Sequence, residues 1–333
     1  MKIIKEILGL IKKHRRFLIT THIRPDGDGL GAELALGAML KKIGKSVQIV
    51  NTGPIAKEYR FLPGIKQIIT PARVSPWEIA IVLDTSSLDR LGELEPMMRQ
   101  TKLPIINIDH HPTSGFFGSV NWVAPEMSSV GEMIYQLIKD AGIPLDKKMA
   151  TNLYVALITD TGHFSLDSTS SSSHLMGGEL LKYGIKPRTV FRNIYENKTP
   201  SDIRLWTECI RNMKFDRSRQ IVWSRLTRQM YRRFGTTGDD SQEYLKVLRS
   251  IKGVRLAILF RESSQTVHRE TDGTKRPEIK VSIRTEPPLD ATKLVRPFGG
   301  GGHHRAAGCT IPGSLKYAEQ LILGRARIIL MKR

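Results

Sequence analysis

The sequence predicts an α/β protein: a doubly wound, mostly parallel sheet followed by a smaller mixed α/β domain. Three observations carry this. In the first half, apolar runs rich in Ile and Val alternate with stretches of helical periodicity, which is how strands joined by crossover helices read. The chain has 333 residues, beyond the roughly 100–200 of one domain, so two cores are expected. Near residue 186 the pattern gives way to a basic helical stretch and then to strands and helices of mixed order.

The elements follow in order. MKIIKEILGLIKKHRRF spaces Ile3, Ile4, Ile7, Leu8 and Ile11 helically, as an amphipathic first helix and not as a secretory leader. RFLITTH is a short apolar run ending at His22. GLGAELALGAMLKKIG is helical and closes on Lys41, Lys42 and Gly44, as a helix end should. SVQIVN, EIAIVLDTS and LPIINIDHH read as buried strands. SSVGEMIYQLIKDAG and DKKMATNLYVALITD read as helices, the first capped by Ser128 or Ser129. DSTSSSSH is a serine-rich loop running into a helix start, and the first domain is expected to span 1–185. KPRTVFRNIYENKTPSDIRLWTECIRNM, with Pro187 and Pro200 as breakers, gives an expected helical linker over 186–213. The second domain, 214–333, takes RQIVWSRL, VRLAILFRES and EIKVSIRT as strands and SQEYLKVLRSI and SLKYAEQLILGRARIIL as helices.

Composition narrows the function classes. The chain is 40% hydrophobic and 25% charged and has no run of about 20 apolar residues, so a membrane partner is not expected. Cys209 and Cys309 are far apart with no CxxC spacing, which argues against a structural zinc site and a disulfide framework and for a reducing cytoplasm. The net charge of +20 points to a polyanionic partner, nucleic acid or a phosphorylated small molecule.

In an open parallel sheet, ligands bind at the carboxyl ends of the strands. Three apolar runs carry acidic or imidazole groups there: His22 with Asp26 and Asp28, then Asp84, then Asp109, His110 and His111. Asp160 closes a helical pattern. One aspartate in such a place is ordinarily a helix cap, as Asp28 before GLGAEL could be; four such ends together point to a metal site. Oxygen-rich donors with imidazoles and no thiolate suit Mn²⁺ first, with Mg²⁺ or Co²⁺ as substitutes. Two divalent ions would neutralise the crowded carboxylates and clamp a phosphate ester, so phosphoester hydrolysis is the expected reaction.

THIRPDGDGLGA, VLDTS, DHH and TDTG, in that order, resemble the four amino-terminal motifs of the DHH phosphoesterase superfamily. FGGGGHHRAAG at 298–308 resembles the glycine-rich motif of its DHHA1 carboxy-terminal domain. Length and layout are closest to the compact nano-RNase and 3′-phosphoadenosine 5′-phosphate (pAp) phosphatase group. The resemblance implies His22 and Asp26 on one metal, Asp28, His110 and Asp160 on a second, and Asp84 bridging both. It makes Asp109 the partner that orients an imidazole and sets His111 against the scissile phosphate. Gly300, Gly301 and Gly302 would present backbone amides to an anion, with His303 and Arg305 adding donors. Arg284 in KVSIRT matches a family arginine that grips substrate phosphate. The implied activity is hydrolysis of short RNA or DNA oligonucleotides, or of pAp, in the interdomain cleft of a cytoplasmic enzyme, with a homodimer compatible.

Three alternatives stand beside it: a cyclic di-AMP or pApA phosphodiesterase, a single-strand-specific exonuclease, and a non-catalytic nucleic-acid-binding protein. Two departures from the pattern are visible. After DTG this chain has His163, Phe164 and Ser165, where many relatives end in arginine, and His304 is an additional imidazole without an assigned role.

Overall fold

Parallel strands covered on both faces read as unbroken apolar runs, and the first unit is built on strands of that kind. The computed structural model describes residues 2–70, 76–100, 102–236, 241–268 and 275–331. They divide into two units, Met1–Asn197 and Lys198–Arg333.

The first unit contains α1 (Lys2–Lys13), β1 (Arg16–Thr21), α2 (Gly27–Lys42), β2 (Ser46–Val50), β3 (Ile68–Ile69), β4 (Ile79–Leu83), α3 (Glu95–Gln100), β5 (Ile105–Asp109), β6 (Val120–Val123), α4 (Val130–Asp140), α5 (Lys147–Asp160), α6 (Ser171–Leu181) and α7 (Pro187–Tyr195). Its six strands run parallel in the order β3-β2-β1-β4-β5-β6, the doubly wound sheet expected. Side chains alternate across it: Phe17 and Ile19 enter one core with Leu30, Leu36, Ile81 and Leu153, and Leu18 enters another with Val50, Val82 and Leu91. Strand order reverses between β1 and β4, so the loops leaving them diverge and open a crevice at their carboxyl ends. His22 and Asp84 are the residues that follow those two strands. Helix α2 lies hard against α5 there; a Cβ on Gly31 would sit 2.4 Å from the Asn152 carbonyl oxygen.

The second unit contains α8 (Pro200–Arg211), β7 (Lys214–Phe215), β8 (Ile221–Leu226), α9 (Arg228–Phe234), α10 (Ser241–Arg249), β9 (Leu256–His268), β10 (Lys275–Thr285), α11 (Ala291–Val295), β11 (Gly301–His303), β12 (Ala306–Pro312) and α12 (Leu315–Met331). Its sheet, ordered β11-β12-β10-β9-β8-β7, is antiparallel except between β8 and β9, the mixed α/β arrangement expected. Ile258, Phe260, Val281, Ile283 and Ile322 pack on one face, and Val222, Leu245, Leu248, Ala257 and Leu259 on the other.

Residues 186–213, expected as a helical linker, form two amphipathic helices that pack on different cores. Val190 and Ile194 of α7 join the first unit, and Leu205 and Cys209 of α8 join the second. The break between them falls at Asn197 and Lys198. Cys209 and Cys309 are free thiols, and no helix of the described residues is long and apolar enough to cross a membrane.

Candidate active site

The turn after β1 sorts its two aspartates by function. Asp26 is the cap of α2: its Oδ1 accepts from the Asp28 and Gly29 amides at 3.0 and 3.3 Å. Asp28, buried at 1% exposure, is thereby released from the capping that its place before GLGAEL suggested. It reaches across to α4 instead, accepting from Val130 N at 2.7 Å and Gly131 N at 2.8 Å, where the helix N-terminus favours an anion. Ser129 is the cap of α4. Asp84 follows β4 at φ 54°, a left-handed conformation costing about 1 kcal/mol for a residue with a Cβ. Asp109 ends β5 with His110 and His111 next, and Asp160 ends α5.

These side chains converge. His22 Nε2 lies 3.6 Å from Asp84 Oδ2. His110 Nε2 lies 3.3 Å from Asp160 Oδ2 and 3.8 Å from both Asp28 Oδ2 and Asp84 Oδ1. Potential ligand atoms fall within 4.8 Å of one another in three groups: His22, Asp26 and Asp84; Asp28, His110 and Asp160; and Asp84, His110 and His111. The first two are the trios the sequence assigns to separate ions, with Asp84 as neighbour to both. His111 turns differently: its Nδ1 sits 2.7 Å from Asp109 Oδ1.

Two features fit divalent cations. The Nδ1 atoms of His22 and His110 lie 2.9 and 3.2 Å from the carbonyls of Ile23 and Met127. A carbonyl only accepts, so Nδ1 carries a hydrogen and Nε2 is the nitrogen turned to the carboxylates, the one that would lose its proton to a metal. Two of the carboxylates are also under electrostatic load. Burial, then repulsion from Asp84 and Asp160, holds the Asp28 carboxyl well above its ordinary range. Burial pushes Asp160 up to about 7 against the relief from His110 and His111, with the Asp84 and Asp26 charges adding to the rise. Asp84 goes the other way: burial would raise it, but the imidazoles of His22, His111 and His110 hold it below the carboxylate range. A cation would relieve the burial and mutual repulsion that raise Asp28 and Asp160.

One charged neighbour was not legible as a site residue. The Arg90 carbonyl accepts from Ile23 N at 2.7 Å, and its guanidinium charge acts on both His22 and His111, opposing their protonation. Its only sequence signal is a basic residue in SSLDRLGE, shortly after Asp84. Ser165, where an arginine was expected, closes the turn after α5 by donating to the Gly162 carbonyl.

The glycine-rich segment belongs to the second unit. β11 pairs with β12, and β10 sets Arg284 opposite Ala306 while Thr285 N donates to the Arg305 carbonyl at 3.0 Å. Arg284 and Arg305 are therefore neighbours along the backbone of the sheet. Burial, then Arg249, lowers Arg284 to about 10, so it stays charged at neutral pH. Gly302, at φ 135°, is required by the hairpin itself, since a Cβ would lie 2.4 Å from the Ala306 carbonyl oxygen. Gly300 is likewise closed in by Gly308 and Cys309, whereas Gly301 has open space beside it. The side chain of His303 lies outside the described residues. His304 faces Asp290, the cap of α11, at 3.0 Å and accepts from Ala291 N through its carbonyl, a structural role that the sequence did not suggest.

Comparison with known proteins agrees with this layout. Residues 16–157 match the DHH family, N-terminal domain, and residues 220–325 match the DHHA1 domain. The chain is 27% identical over 329 residues to the bifunctional oligoribonuclease and PAP phosphatase NrnA of Thermus thermophilus, covering 98% of this chain and 93% of that one. It is 26% identical over 309 residues to the protein of the same name from Bacillus subtilis, with 92% of each covered. Among solved structures it resembles an exopolyphosphatase-related protein from Bacteroides fragilis, at TM-score 0.90 and 25% identity over 100% of this chain and 98% of that one. The fold is also that of exonuclease RecJ bound to manganese, at TM-score 0.50 and 13% identity over 97% and 94% of the two chains. The two matched segments fall one in each unit, and the chain accordingly belongs to the DHH phosphoesterase family, with a DHHA1 domain as its second unit.

Proposed function

We propose that this protein is a metal-dependent phosphoesterase that hydrolyses short oligonucleotides, and pAp, to mononucleotides. The observation that carries the reading is the pair of ligand trios at the strand-order reversal of the first unit, His22, Asp26 and Asp84 beside Asp28, His110 and Asp160, with Asp84 Oδ1 3.8 Å from His110 Nε2 of the second. His22, Asp26 and Asp84 would hold one ion and Asp28, His110, Asp160 and Asp84 the other, Mn²⁺ being first choice for such donors. Ions there would supply Lewis-acid charge and lower the pKa of a water, so that losing its proton at neutral pH makes it a nucleophile toward phosphorus.

The chain's own groups do the rest. His111, anchored by Asp109, carries a proton to the leaving oxygen; burial opposes its protonation, but the Asp109 hydrogen bond and the Asp84 charge raise it to about 9. The Arg90 guanidinium neutralises a phosphate oxygen beside His22 and His111. Arg284, Arg305, the Gly301 amide and His303 are proposed to grip a further phosphate of the substrate, which a dinucleotide or pAp supplies and bare phosphate does not. The names of the Thermus and Bacillus relatives support this substrate class. The free thiols and the net charge of +20 fit work on polyanions in the cytoplasm.

A substrate panel tests the proposal. Mn²⁺-loaded protein offered pAp, pApA, cyclic di-AMP and a long single-stranded RNA should show kcat/KM for pAp and pApA above that for the long strand by about tenfold or more, about 1.4 kcal/mol of discrimination. Equal turnover of pApA and the long strand would overturn it.

A further inference from the structure

Three consecutive residues after α5 take left-handed backbone angles: Gly162 at φ 55°, His163 at φ 58° and Phe164 at φ 62°. Glycine does this freely, but residues with a Cβ rarely do, and the surroundings pin them. His163 N donates to the Ile158 carbonyl at 2.8 Å, Phe164 N to Thr161 Oγ1 at 3.2 Å and Ser165 N to the Thr161 carbonyl at 3.0 Å. The two rings of the turn then part company. Phe164 is used for packing, stacked on His174 at 4.6 Å and 19° and resting against Gly177. His163 is aimed at α7, its ring centroid 4.6 Å from Tyr195 and 5.2 Å from Phe191, and those two rings are 5.1 Å apart.

Helix α7 sets this group at the edge of the core, with Tyr195 packed against it and Phe191 turned outward. Val190 and Ile194 already bury its apolar stripe in the first unit. Phe191 and Tyr195, one position round from each and four apart on the helix, form a second stripe at its edge. Phe191 is 38% exposed, which packing alone would not favour. The group is tied to the metal-ligand cluster along the chain and through Tyr59. His163 comes three residues after Asp160 in the chain, and the Tyr59 phenol, whose ionisation burial and Asp26 resist, interacts with Gly27, Asp26 and Tyr195.

We infer that His163, Phe191 and Tyr195 form a stacking platform for a nucleobase of the substrate whose phosphate is held at the ligand cluster. The inference rests on the phosphoesterase reading above. A planar heteroaromatic ring suits three tilted aromatic rings better than a phosphate or a sugar does, and stacking of this kind tolerates any base because every base has a π-face. It gives the enzyme a grip on nucleotides without sequence choice.

The test uses the full-length, Mn²⁺-loaded protein with two substrates: a dinucleotide, and the same dinucleotide lacking one base. Phe191→Ala and His163→Ala should each lower the ratio of kcat/KM for the intact over the abasic substrate about tenfold, with Phe191→Trp restoring it. A non-hydrolysable dinucleotide carrying 2-aminopurine should lose fluorescence on binding to the wild type and not to Phe191→Ala. Ratios and quenching equal to wild type in both alanine variants would overturn the platform while leaving phosphoesterase activity in place. Hydrolysis of neither substrate by the wild type would instead overturn the reading beneath it.

Discussion

Asp84→Asn is expected to lower kcat/KM on pAp and on short oligonucleotides by about 10³-fold or more, about 4 kcal/mol of transition-state stabilisation. Asparagine is chosen with the backbone in mind. Asp84 sits at φ 54°, and asparagine tolerates the left-handed region about as well as aspartate, so the substitution removes charge without adding strain. What it removes is the carboxylate that, among the described residues, faces His22, His110 and His111 together and belongs to two of the three candidate ligand groups found there. An ion on either side of it would lose a ligand. The comparison is kcat/KM at saturating Mn²⁺, with circular dichroism confirming the fold; more than a tenth of wild-type activity would show that Asp84 is not shared between ions.

His111 and Asp109 yield the second large effect. His111→Gln should cost about 10²- to 10⁴-fold in kcat, the usual worth of a positioned general acid. Asp109→Asn tests how that acid is kept charged. Burial pulls the His111 pKa down, and the Asp109 hydrogen bond at 2.7 Å, with the Asp84 charge, raises it to about 9. A group whose pKa is raised is protonated below that value and loses its proton as pH rises through it. The alkaline limb of the kcat profile therefore reports His111. Replacing the Asp109 carboxylate with an amide removes the larger support and leaves burial to win, so this limb should move to lower pH by about two units. A limb that stays in place while kcat falls would assign Asp109 a purely structural role.

Much of the fold is legible in the sequence because the physics that makes it is local. β1, β4 and β5 are buried on both faces and so appear as largely apolar runs, α4 announces itself by periodicity and its serine cap, and α2 and α5 read as long helix-forming stretches although they are buried nearly all round. The elements that escape notice have weak local signals. β6 has four residues and only alternate burial, β12 is AAGCTIP with little β-propensity, and α9 is RQMYRRF with no buried residue. The ends of the long elements carried the ligand candidates, which is why His22, Asp26, Asp84, His110 and Asp160 could be named before their geometry was known.

Relations between distant residues were not legible. Nothing in PDGDG says that Asp26 caps α2 while Asp28 crosses to the start of α4, because that choice depends on a helix a hundred residues later. The charge of Arg90 reaches two imidazoles only through the turn that bonds it to Ile23. His163 meets Phe191 and Tyr195 because three left-handed residues reverse the chain, and no periodicity encodes that.

The central claim is that two ions share Asp84. Electron paramagnetic resonance during Mn²⁺ titration of the full chain tests it most directly. The account predicts two Mn²⁺ bound per chain with an exchange-coupled signal, and loss of the coupled signal in Asp84→Asn. A single bound ion, or two uncoupled ions unaffected by that substitution, would contradict it.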